Sequence, residues 1–127
     1  MSAKLSTVTL ARAWDPGGRP DDGSHIEFEV ALDPQGHPDL GAWLDDPSPW
    51  GARRLRRDGT ALRGDVAHDE DGWHLRFFSG ETPDPDAPAH RLRHIAGALR
   101  PGEVLTLGAP DGEESTWRVV GVRPPSA

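Results

Sequence analysis

His90 and His94 stand four apart in a stretch whose apolar residues Leu92, Ile95, Ala96 and Leu99 recur at helical spacing. Two imidazoles one helical turn apart can grip a single zinc or nickel ion. A helix here would turn both away from its apolar stripe, and a catalytic zinc wants a third ligand and a walled pocket. No glutamate follows His90 to complete the His-Glu-x-x-His pattern. A second grouping joins His68, Asp69, Glu70 and Asp71 to the nearby His74. Its oxygen donors would suit a hard cation, but Ala67 and Phe78 stand where a calcium loop needs acids. A polar hairpin tip accounts for the same residues through backbone geometry alone.

The third grouping is Trp50 with Arg53, Arg54, Arg56 and Arg57, and with Arg63 nearby. Guanidinium groups hold phosphates and carboxylates in two-pronged fashion, and tryptophan and arginine are among the residue types most enriched at protein-binding hot spots. These five residues form the preferred binding site, with Trp14 as a further candidate. Tryptophans that merely cap the ends of a sheet explain the same pattern structurally. His68, Glu70, His74, His90 and His94 are kept for an alternative reading, the rim of a metal site.

Four Asp-Gly pairs, at 22–23, 58–59, 71–72 and 111–112, indicate the elements that must position these groups. Glycine adopts positive φ freely and aspartate bonds its own backbone, so such pairs reverse one strand into the next. Two of them launch strands of the same pattern, Asp-Gly-x-His-aliphatic-x-Phe, at 22–28 and 71–77. Alternation is clearest where Ile26, Phe28, Val30 and Leu32 interleave with His25, Glu27 and Glu29. Further strands are expected over 5–14, 60–67, 73–78, 104–107 and 116–122. Leu40, Trp43 and Leu44 predict a short helix ended by Asp45-Asp46-Pro47, and Asp86 with Pro88 predicts a longer one over 88–99. Residues 47–57 lack a clear period and read as a loop, and the proline-rich stretch 81–88 as a surface connection.

The expected fold is thus α+β and β-rich: a curved antiparallel sheet, small barrel or sandwich of about six strands with two short helices, the longer near residues 88–99. At 127 residues one domain over 1–123 is expected, with a frayed tail at 124–127. A formal net charge of −7 argues against nucleic acid as a partner. Lys4 is the single lysine among 14 basic residues, a skew that can follow from codon composition alone. The absence of cysteine excludes thiolate nucleophiles, disulfides and Cys-based zinc sites. No window approaches a membrane span and no serine sits in a nucleophile-elbow context, so a cytoplasmic location is expected and no cofactor is implied. The reading that results is a non-enzymatic protein-interaction or assembly module of a soluble, bacterial-type protein. It would bind a protein partner or form a homo-oligomer. The alternative is a small-molecule-binding or metal-dependent hydrolase domain with a His/acid rim.

Overall fold

The computed structural model describes residues 5–12, 24–45, 50–56, 59–78, 87–93 and 98–125. They form eight antiparallel strands in chain order, closed into a barrel: β1 (Ser6–Arg12), β2 (His25–Val30), β3 (Trp50–Leu55), β4 (Ala61–Asp69), β5 (Gly72–Phe77), β6 (Ala89–Arg93), β7 (Val104–Gly108) and β8 (Glu114–Arg123). Each strand pairs with its neighbours in sequence, and β1 closes on β8 through pairs such as Thr7 with Arg123 and Ala11 with Arg118. A bulge between Thr9 and Leu10 shifts that last register, so that Leu10 and Val119, both fully buried, still face each other.

Period-two alternation builds the wall. Val8 and Leu10, Ile26, Phe28 and Val30, Leu75, Leu105 and Leu107, and Trp117 and Val119 turn inward and are buried, while Thr7, Thr9, Glu27 and Glu29 lie on the other face. An eight-stranded barrel has an interior just wide enough for such side chains to fill, or to hold one small ligand.

Glycines of three of the four Asp-Gly pairs take the expected positive φ; the pair at 22–23, Asp58 and residues 81–86 lie outside the described residues. Gly59, Gly72 and Gly112 take φ of 89, 112 and 91°, and the Asp69 and Asp111 carboxylates each accept the backbone N–H two residues on. The single helix among the described residues, α1 (Leu40–Asp45), begins after Asp39, whose carboxylate accepts the Ala42 N–H at 3.1 Å.

Two expectations need correction. Residues 89–93 are strand β6, not part of a helix over 88–99: Arg91 pairs with His74 on one side and Gly108 on the other. A five-residue run carries too little pattern to separate the two periods, and a ladder available on both edges decides for extended chain. Residues 50–55 are strand β3, not loop. Trp50, Ala52 and Arg54 alternate inward, and the charge of Arg54 hides a pattern that an apolar residue would reveal. Among the described residues the count is therefore eight strands and one short helix rather than about six strands and two helices.

Candidate functional site

The two ends of the barrel differ. At one end α1 lies across the interior: the Trp43 ring meets Trp73 and His68 at 6.2 Å, and Trp73 stacks on Trp50 at 5.7 Å with 14° between the planes. Leu99 seals the same end, its N–H donating to the Gly36 carbonyl at 2.9 Å. His68 meets Trp73 edge-on at 4.8 Å, so the imidazole serves as part of an aromatic plug.

At the opposite end the inward positions carry charge. Arg12 pairs in register with Trp117 and places its guanidinium 5.7 Å from the ring centroid, while Arg54 lies between Ile26 and Leu62 and comes to 5.8 Å. Trp117 is buried, and its indole N–H donates to the Ser115 hydroxyl at 2.8 Å. His90, opposite Leu75, sits edge-on to Phe77 at 5.5 Å with its Nδ1 buried and without a hydrogen-bond partner. Burial and the nearby Arg54 push this imidazole below its ordinary value, against the pull of the Pro88 and Leu75 carbonyls and of Asp111. Two permanent cations thus converge on one indole, with the His90 imidazole against Phe77 and near Arg54. Arg12 and Arg54 are also engaged by other groups of the protein, so an incoming anion exchanges with those partners.

The outer wall holds a separate network. Arg76 grips the buried Asp65 through two bonds of 2.8 and 2.6 Å, and Arg91 reaches Asp69 at 3.0 Å and Asp71 at 3.5 Å. His74 is buried beside them, 3.7 Å from Asp69. Burial lowers its pKa, with Arg91 and Arg76 acting in the same direction and Asp69 and Asp65 opposing. Hydrogen bonds from the Arg91 guanidinium and then from the Asp71 N–H hold the Asp69 carboxyl below its usual value. Its two arginines offset two of the three aspartates, and the network ties β4, β5 and β6 together.

The structure distributes the sequence-predicted residues widely. Trp50 is 3% exposed and belongs to the core, which removes it from any docking surface. Arg53 points outward to Glu27 at 3.1 Å, Arg54 points inward, and Arg56 is exposed at the β3–β4 turn. His68 is in the plug, Glu70 on the β4–β5 turn, His74 on the outer wall and His90 in the interior. His90 is turned inward, not toward water as a helix would have had it. His25 pairs with Ala11 and Leu55 and does not meet His74. Arg57, His94 and Trp14 lie outside the described residues. Among the described residues, no three histidine or acidic side chains are grouped as a metal ion would require. Arg12 and Trp117 were not singled out by type and spacing, although each shares the inward parity of apolar strand neighbours, Leu10 and Val119.

Compared with known protein families, curated proteins and solved structures, the chain matches none. No helix of the described residues is long and apolar enough to cross a membrane.

Proposed function

We propose that the protein is a non-enzymatic small-molecule binder that takes an organic anion at the barrel end opposite α1. The observation that carries this is the convergence of Arg12 and Arg54 on Trp117 in the barrel interior, with His90 beside Phe77 and near Arg54. Guanidiniums kept among apolar walls are favourable partners for a carboxylate or phosphate, because the pair exchanges two costly desolvations for one strong bidentate contact. The indole and the Phe77 ring offer a flat apolar surface for the body of such a molecule.

The test is a thermal-shift and calorimetric screen of the full chain against aliphatic and aromatic carboxylates and their neutral amides, repeated on Arg54→Met. Carboxylates raising the melting temperature, amides failing to, and loss of the effect in Arg54→Met would support the reading. No carboxylate raising the melting temperature would overturn it.

A second reading, a protein-interaction or assembly module, is supported by Val104 and Val120. These are 45% and 49% exposed and are diagonal neighbours on the outer faces of β7 and β8. A screen without hits, combined with a dimer mass by light scattering, would favour it instead.

A further inference from the structure

Over β2 and β3 the outer wall is indented by a cavity of about 350 Å³, at the small end of the range for ligand pockets. Its floor is main chain, because Gly51 contributes no side chain and a Cβ there would come within 2.7 Å of Glu29 Oε1. On one side stand Glu27 and Glu29 on β2, with Arg123 of β8 beyond Thr7; the other bank is basic, Arg53 on β3 and Arg63 on β4. Glu27 and Arg53 neutralise each other at 3.1 Å. Glu29 gives one oxygen to the Gly51 N–H at 3.1 Å, which leaves most of the acceptor capacity of its carboxylate available. Arg63 sits directly opposite Arg53 in register, a like-charge pairing that costs stability, and among the described residues Arg63 is in no ion pair.

What remains is Arg63 facing the partly committed Glu29 across a trough, with Arg123, beyond Thr7, as a second cation of the lining that is unpaired among the described residues. We propose that this trough is a second site, distinct from the barrel interior, which binds a small zwitterion of amino-acid type. Its carboxylate lies between Arg63 and Arg53 and its ammonium on Glu29. The carboxylate relieves the arginine pairing, and the ammonium meets the oxygen that Gly51 does not use.

The experiment is an amide-resolved NMR titration of the full chain with individual L-amino acids, and with the N-acetyl and carboxamide derivatives of each. Free amino acids shifting the Gly51 and Gly64 amides, both blocked forms binding at least tenfold more weakly, and Glu29→Gln and Arg63→Gln each weakening binding about tenfold would support the site. Glu29→Gln keeps an oxygen for the Gly51 N–H, so the local fold is retained. Arg54→Met should leave these shifts unchanged, which separates this site from the interior one. Failure of every amino acid to shift Gly51 at millimolar concentration, or equal binding of the N-acetyl forms, would overturn the proposal.

Discussion

His74 and His90 stand on opposite faces of the barrel wall, one outside among Asp69, Arg91, Arg76 and Asp65, the other inside beside Arg54, yet burial lowers both. An imidazole whose pKa is depressed by folding binds fewer protons in the native state than in the unfolded chain. Between the folded value and the ordinary 6.5, stability therefore rises with pH, and it levels off above that value. Acidification from about pH 7.5 to about pH 5.5 should lower the melting temperature. His74→Gln and His90→Gln should each flatten part of that slope, and the double variant most of it. Asp69 and Asp33, whose carboxyls are held low by their hydrogen bonds, act in a separate window. Their contribution is present above the ordinary carboxylate value of 3.8 and is lost as pH falls through their folded values. Calorimetric scans at half-unit steps check this, and a wild-type melting temperature that is flat between those limits would refute the assignment of both histidines.

At the scale of elements, legibility in the sequence followed the chemistry of the inward positions. Strand β2 is plain because Ile26, Phe28 and Val30 are all apolar, and the β4–β5 hairpin because Asp71-Gly72 punctuates it. Strands β3 and β6 were missed because Arg54 and His90 occupy inward places in them. These residues also belong to the proposed interior site, so the departures from pattern that concealed two strands coincide with it. The cavity on the outer wall was not legible, since it depends on which side chains of five strands meet across a register that only closure fixes. Strand β4 shows how tightly that register is held. Gly64 lies between Leu62 and Val66, and a Cβ built there would run into the Arg76 carbonyl of β5. Gly64→Ala should therefore cost about 1–3 kcal/mol by overpacking, whereas Gly121→Ala, with nothing within 4 Å of the new carbon, should stay within about 0.5 kcal/mol. Urea unfolding of the two variants makes the comparison, and equal midpoints would show that β4 and β5 are not so closely apposed.

For the molecule as a whole, one seam carries the architecture. Seven of the eight pairings join strands adjacent in sequence, and only β1 with β8 brings distant parts of the chain together. That pairing removes both sheet edges at once, which a meander of otherwise local hairpins could not do. It also carries the largest loop-closure entropy, so it is the contact whose covalent capture should stabilise most. Ala11 and Arg118 are register partners across the seam, and antiparallel partners lie about 4.5–5.5 Å apart at Cα, within reach of a disulfide. The chain has no cysteine of its own, so Ala11→Cys with Arg118→Cys introduces only the pair to be tested. Oxidation of the folded protein should close an internal disulfide spanning about a hundred residues and raise unfolding stability by up to about 4 kcal/mol. Ala11→Cys with Val104→Cys is the control. Val104 pairs with Arg118 from the far side and so lies two strand spacings, about 10 Å, from Ala11, too far to bridge. Cross-linking of the first pair and not the second, read by mass spectrometry under non-reducing conditions, is what a closed barrel in this register requires. Absence of the internal disulfide in the first pair would mean that β1 and β8 do not meet, and the interior site, which needs Arg12 and Trp117 on adjoining strands, would fall with the seam.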